Sequence, residues 1–331
     1  MHQRYQLACH LACPTMINRD KPDIWKEDIQ KSVKYYNDWF LHFAPKTYQD
    51  SRMRASETVS KVFRDTELLR AITPDYLKKN PKSVAVLRMS TCPPMARDRL
   101  KGIAEIGCGS LITNMENENK PHITKSKTTE KDLINICKTI ESLLDQELLP
   151  WLKSGEKPTD NELLQASIVI SDRLCGSISD PILRNEQERR QLSNISEWLK
   201  QRGYEDKTGE LSFDTLNAWD FLLRSNIPVI EGEDSEKKVN ITADVVIQPL
   251  NKLDFPLIIE AKSAGDYTNV NKRRKEEAQK INQMRRTYGN NANLTLFLCG
   301  YFDTGYLGYE AAEGIDWVWE HRIDDMEKMG L

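Results

Sequence analysis

No stretch of this 331-residue sequence approaches the roughly 18 unbroken apolar positions that a membrane-spanning helix needs. Its opening "MHQRYQLACHLACPT" also lacks the sustained apolar centre of a secretion signal, so the expected location is the cytoplasm. Nor is there an excess of one charge. Lys and Arg number 47 against 50 Asp and Glu, a formal charge of −3, and any nucleic-acid site must therefore be a local basic patch. The seven cysteines form no CxxC pair, which speaks against zinc ribbons and thioredoxin-like redox centres. Cys9, His10 and Cys13 in "CHLAC" are the one metal-like group, and they have no distant partner pair. A GxSxG nucleophile elbow and an HExxH helix are both missing, which removes the common serine-hydrolase and zinc-protease patterns. With no internal repeat, a solenoid is excluded as well.

What is present is ordinary for a globular chain: 39% hydrophobic and 29% charged residues. The length allows one large domain or two of usual size. The segment "KPDIWKEDIQKSVKYYNDWF" sets Ile24, Trp25, Ile29, Val33, Tyr36 and Phe40 at helical spacing. Further helical patterns follow through "ETVSKVFRDTELLRAI", "KDLINICKTIESLLDQELLPWL" and "NELLQASIVISDRL", with breaks expected at Pro45, Pro74, Pro93, Pro94, Pro121 and Pro158. The polar stretch from Asn114 to Lys131 reads as an exposed loop or linker.

Past residue 180 the pattern changes. A helix, "NEQERRQLSNISEWLKQRGY", precedes runs rich in β-branched and aromatic residues: "AWDFLLRSNIPVI", "VNITADVVIQPL", "FPLIIEAKSA" and, after another helix, "ANLTLFLCGYF". The charged turn "EGEDSEKK" predicts a hairpin between the first two. This is an α/β (α+β) arrangement: a mixed central sheet flanked by helices over residues 181–331, preceded by a mostly helical region over 16–180. Residues 1–15 read as an extension or a misplaced start.

The chemistry concentrates on two of the strands. Asp244 lies in "ITADVVIQP", and Glu260 and Lys262 lie in "PLIIEAKSA". Two positions apart on a strand, Glu260 and Lys262 point to one face while Ala261 points to the other. Charges framed by Val245, Val246, Ile247, Leu257, Ile258 and Ile259 are costly unless they have a task. Carboxylate oxygens suit a hard ion such as Mg²⁺, with the Ala261 carbonyl as a further ligand, and a lysine beside them can orient or deprotonate a water and offset phosphate charge. Glu188 falls on the helical stripe of Leu192, Ile195 and Leu199 and is expected to face the site as a third carboxylate; otherwise it pairs with a nearby cation such as Arg184. Glu186 is off that stripe. Lys272, Arg273, Arg274 and Lys275 form the densest basic run, a DNA-backbone contact or else a solvated helix face. Arg88, Arg97 and Arg99 in "LRMSTCPPMARDRL" either reach base edges or brace the proline-broken turn by ion pairing. Trp317 and Trp319 read as core. The string "AEIGCGSL" imitates the glycine loop that holds S-adenosylmethionine, but charged, helix-like sequence precedes it where a buried strand is required.

The strand pair "ADVVIQ" and "IIEAKSAGD" resembles that of the PD-(D/E)XK nucleases, with Ala243 where the proline of the pattern stands. More narrowly, "EAKSAGDYTNVNKRRKEEA", "FLCGYFDTGYLGYEAAEGIDWVWEHRIDD" and "LRMSTCPPMARDRL" are similar to the XamI family of type II restriction endonucleases, over about Met16 to Leu331. The resemblance implies a Mg²⁺-dependent enzyme cutting double-stranded DNA at a short palindrome, GTCGAC by the family's namesake. It also implies a homodimer and a cognate DNA methyltransferase. By position it makes Asp244, Glu260 and Lys262 the catalytic trio. The alternatives are a sequence-non-specific repair or recombination nuclease of the same fold, and an inactive DNA-binding module.

Overall fold

The structure is a computed structural model that describes residues 16–117, 119–232, 237–251, 253–268 and 270–331, with the backbone alone for 270–274. Cys9, His10 and Cys13 lie outside the described residues. Two compact units form, one of residues 16–42 with Arg184–Leu331 and one of Phe43–Leu183. The sequence division at 180 is thus displaced by a few residues, and the segment 16–42 belongs with the sheet.

Two long helices cross the unit boundaries: α1, Pro22–Asp65, and, after the shorter ones, α8, Asp160–Gln201. Helix α1 runs through Pro45, where a break was expected, and α8 likewise runs through Pro181. Proline removes one helical hydrogen bond and frees the carbonyl four residues earlier. Both prolines are exposed, as are Leu41 and Ser177 four residues before them, so water can satisfy what the helix loses.

The Phe43–Leu183 unit is helical. It contains α2 (Pro74–Lys79), α3 (Val84–Met89), α4 (Arg97–Ile103), α5 (Leu111–Met115), α6 (Thr129–Leu143) and α7 (Trp151–Ser154). Its core joins Val59, Phe63, Leu87, Ile136, Trp151 and Ile170. Of the stretch from Asn114 to Lys131 expected as a loop, the described residues between Asn117 and Thr128 are a largely exposed loop, whereas Asn114 and Met115 close α5 and residues 129–131 open α6. The glycine string at Glu105–Leu111 follows helix α4 instead of a strand, which bears out its rejection as a cofactor loop.

The other unit is built on a mixed six-stranded sheet: β1 (Glu205–Asp206), β2 (Asp220–Ile230), β3 (Lys238–Ile247), β4 (Leu257–Ala264), β5 (Leu294–Gly300) and β6 (Asp316–Trp319), in that spatial order. Strands β2, β3 and β4 run antiparallel as hairpin neighbours. Strands β4, β5 and β6 run parallel, joined through α9 (Val270–Tyr288) and α10 (Thr304–Ala312). One face packs Trp25 and Ile29 of α1, Ile281 and Met284 of α9, and Tyr306 of α10 against Leu222, Val246, Ile258 and Leu296. The opposite face packs Leu192, Ile195 and Leu199 of α8 against Phe221, Val245, Ile259 and Phe297. Helices on both sides of a mixed sheet make this the α/β arrangement expected from the strand pattern, and it is consistent with the restriction-endonuclease-like fold that the family resemblance implies. Trp317 and Trp319 are fully buried in the sheet, as read.

Candidate active site

The site sits where two strand ladders fail at the same point. Strands β3 and β4 pair through Ile247↔Leu257, Val246↔Ile258 and Val245↔Ile259, and there the ladder ends. Continued by one step, that register sets Asp244 opposite Glu260. On the other edge of β3, Leu223↔Val245 and Ser225↔Ala243 flank an unpaired Arg224 and Asp244, and Arg224 takes a left-handed φ of 51°. The pleat slips there by one residue. Leu222 and Val246 face the same layer as Ile227, Val229 and Ala243, whereas Phe221, Val245 and Ile247 face the other. Asp244 is therefore released from the alternation that would otherwise fix it.

Its side chain completes the hydrogen bonding that the broken ladder leaves open. The Ala261 N–H donates to Asp244 Oδ2 at 2.8 Å. Glu260 is almost fully buried, its side chain 4% exposed, and both of its oxygens are engaged by lysines. Lys262 Nζ donates to Glu260 Oε2 at 3.1 Å from the same face of β4. Lys280, from α9, donates to Glu260 Oε1 and to the Thr242 carbonyl of β3. Behind β4, the buried Gln191 side chain of α8 donates to the Phe297 carbonyl at 3.2 Å and the Lys262 carbonyl at 3.4 Å, steadying the backbone beneath the lysine.

Electrostatics follow from this crowding. Burial, reinforced by the nearby Glu260 charge, pushes the Asp244 carboxyl up to about 6, against the opposing pull of Lys262, the Ala261 N–H and Lys280. For Lys262, burial works to lower its affinity for a proton, but Glu260, Glu277 and Asp244 together outweigh it and the net direction is upward. Lys262 is thus a standing ammonium. Of the two roles the sequence left open for it, orienting a water or deprotonating one, these neighbouring carboxylates favour the first. Asp244, Glu260 and the Ala261 carbonyl form an all-oxygen donor set whose carboxylates repel each other, and that set fits a hard divalent cation. Among the described residues, no point gathers three or more His, Cys, Asp or Glu side chains.

The other expected residues are placed differently. Glu188 is on α8 as read, but its carboxylate, 40% exposed, pairs with Arg224 of β2 at 2.8 Å instead of joining the trio. It meets the site only through a residue that stands opposite Asp244. Arg88 is a correction: its side chain is 5% exposed, its Nε and Nη2 bind Glu116 at 2.6 and 3.0 Å, and Nη1 bonds the Met95 carbonyl. A guanidinium held in that way, with its side chain buried against an equally buried carboxylate, braces the turn and is shut away from a base edge. Arg97, half exposed, shares Glu116 at 2.6 Å, and Arg99 is exposed. Lys275 is exposed on the first half of α9; the side chains of Lys272, Arg273 and Arg274 lie outside the described residues. Lys280 and Arg224 were missed in the sequence. Lys280 did carry a signal, since it falls beside Glu277, Ile281 and Met284 on the stripe that α9 turns to the sheet.

Known proteins match this chain closely. The model of the XamI restriction endonuclease family matches residues 67–319, a stretch that includes Asp244, Glu260 and Lys262. Type II restriction enzyme SalI of Streptomyces albus G is 50% identical over 319 residues, which is 95% of this chain and 100% of that protein. The crystal structure of protein VC1899 from Vibrio cholerae overlaps 77% of this chain and 55% of that chain at 12% identity and a TM-score of 0.28, too loosely to carry an argument. The fold, the carboxylate–lysine site and these matches define a type II restriction endonuclease, a site-specific deoxyribonuclease acting on double-stranded DNA. The chain belongs to the XamI restriction endonuclease family.

Proposed function

We propose that the enzyme hydrolyses phosphodiester bonds with Mg²⁺ at the palindrome GTCGAC, as a cytoplasmic homodimer protected by a cognate DNA methyltransferase. The observation that carries the metal reading is the convergence of Asp244 and Glu260 at the split between β3 and β4, with Asp244 pushed up to about 6 by burial and by its neighbour. Asp244 and Glu260 hold the ion, and the Ala261 carbonyl adds a ligand. When bound, the ion supplies Lewis-acid stabilisation of charge on the phosphate oxygens. Lys262 keeps its proton, orients the attacking water, and offsets the charge that builds as the new P–O bond forms and the bond to the leaving sugar oxygen breaks. Glu188 enters this reading through Arg224, which it holds beside Asp244.

The helical region, residues 16–180 on sequence and Phe43–Leu183 as a compact unit, carries recognition and dimerisation in this reading. Arg97 and Arg99 reach DNA from it, and Lys272, Arg273, Arg274 and Lys275 contact the phosphate backbone from α9. What supports GTCGAC and the methyltransferase is the family resemblance across nearly the whole chain.

The test is cleavage of unmethylated phage DNA in Mg²⁺ or EDTA, with fragment ends sequenced. Discrete, Mg²⁺-dependent fragments ending at GTCGAC are expected, as is loss of cleavage in Asp244→Ala and Lys262→Ala with folding and DNA binding kept. Cutting in EDTA would remove the metal, and ends at another sequence would remove GTCGAC. Loss of folding in both variants would make the trio structural.

A further inference from the structure

Glu260 offers no vacant oxygen. Lys262 holds Oε2 from its own strand, and Lys280 reaches from α9 to hold Oε1 together with the Thr242 carbonyl. Thr242 is two residues before Asp244 on β3, so the Lys280 ammonium bridges β3 and β4 across the gap where their ladder has ended. That gap is where Asp244 and Glu260 face each other. A cation bound by both carboxylates needs an oxygen of Glu260, and an ammonium already on that oxygen occupies one of its lone pairs and repels the incoming charge.

The two lysines are not equivalent in this respect. Lys262 is fixed to β4 two positions from Glu260 and shares its face whether or not a cation is present. Lys280 arrives on a long, flexible stem from a separate element, its side chain 17% exposed, and its second partner is the carbonyl of an exposed residue that water can serve instead. Releasing Lys280 therefore leaves no buried group unsatisfied once a divalent ion replaces it on Glu260. Its presence without an ion lessens the cost of two buried carboxylates side by side, Glu260 and Asp244, which Lys262 alone offsets only in part.

We propose that Lys280 is a built-in competitor of the metal, an ammonium that holds the place of the divalent ion on Glu260 and sets how tightly the enzyme takes up its cation. This rests on the metal-site reading above. Because the site binds an ion only in the fraction of molecules whose Glu260 Oε1 is free, apparent affinity is reduced by that fraction. For a partly buried, charge-assisted contact of ordinary strength, the reduction is about tenfold.

The experiment is calorimetric titration of the DNA-free enzyme with Ca²⁺, paired with thermal unfolding in EDTA and in Ca²⁺. Lys280→Gln is expected to bind Ca²⁺ about tenfold more tightly than the parent. It should melt lower in EDTA, where Glu260 loses one of its two ammonium partners, and gain more from Ca²⁺ than the parent does. Lys238→Gln, which removes an exposed charge from the same strand as Asp244, is expected to change affinity by less than about twofold, and so separates local competition from general charge. Unchanged Ca²⁺ affinity in Lys280→Gln, with Glu260→Gln abolishing binding, overturns the competitor role alone. Wild-type binding in Glu260→Gln overturns the metal site and this inference with it.

Discussion

At the residue scale, the Asp244 carboxylate is disfavoured by burial and by the neighbouring Glu260 charge. A carboxyl whose folded-state value is raised from 3.8 to about 6 binds its proton more tightly folded than unfolded. Its ionisation therefore subtracts stability progressively as pH rises from about 4 through 6, and the full deficit is present above that window. Asp244→Asn keeps the acceptor for the Ala261 N–H and removes the charge. In EDTA at pH 8 it is expected to unfold with about 1–2 kcal/mol more stability than the parent, after discounting for partial exposure. Denaturant melts across pH check this, and the difference should vanish below about pH 4. Equal stability of the two proteins at pH 8 would mean that the Asp244 charge is not strained. Arg224 is the backbone counterpart: a non-glycine residue at φ 51° in a strand stores on the order of 1 kcal/mol at the point opposite Asp244.

At the element scale, the end of β4 that carries Lys262 is anchored through a glycine. Gly300, closing β5, has φ +99°, and a Cβ there would lie 2.1 Å from the Ala264 carbonyl oxygen. That same carbonyl accepts from Tyr301 N–H at 2.9 Å, and Gly300 N–H donates to Ser32 Oγ of α1 at 2.8 Å. Neither the backbone torsion nor the contact can be relieved by turning a side chain. Gly300→Ala is expected to cost at least about 2 kcal/mol and to lower the melting temperature by several degrees. Cleavage should fall along with stability, because β4 and the start of α1 move together. Thermal unfolding followed by circular dichroism measures it, and a wild-type melting temperature would show that the strand end tolerates a Cβ. The continuity of α1 and α8 through Pro45 and Pro181 belongs to the same scale: a single lost hydrogen bond does not end a helix of more than forty residues whose freed carbonyl meets water.

At the scale of the whole molecule, a near-neutral chain that works on a polyanion must concentrate its cations locally. A palindrome read by a homodimer doubles whatever contacts each subunit makes, since a two-fold axis in the DNA matches one in the protein. Sedimentation of the Asp244→Ala protein with a GTCGAC duplex is expected to give two chains per duplex. The log of its binding constant should fall with log salt at a slope of about −0.9 for each phosphate neutralised. One chain per duplex would reject the dimer.

The trio was legible in the sequence because strand alternation and β-branched framing are local properties: Glu260 and Lys262 share a face wherever the strand lies, and the hairpin brings Asp244 alongside. The buried tryptophans of β6 were legible for the same reason. Lys280 was not, because its meeting with Glu260 depends on how α9 docks across β3 and β4, and the local pattern shows only that the lysine lies on the docking stripe. Glu188 was placed on the correct helix and the correct stripe, yet its partner Arg224 is set by a pleat slip that arises only when β2 pairs with β3. Arg88 has the composition of a DNA contact and the environment of a core ion pair; Glu116, 28 residues away, makes the difference. Local pattern was enough to place the main strands and most helical segments, though not the run of α1 through Pro45, and to show which charges share a strand face. The tertiary structure alone decided which charges meet across elements, because pairing of distant segments depends on register and docking that no local spacing encodes.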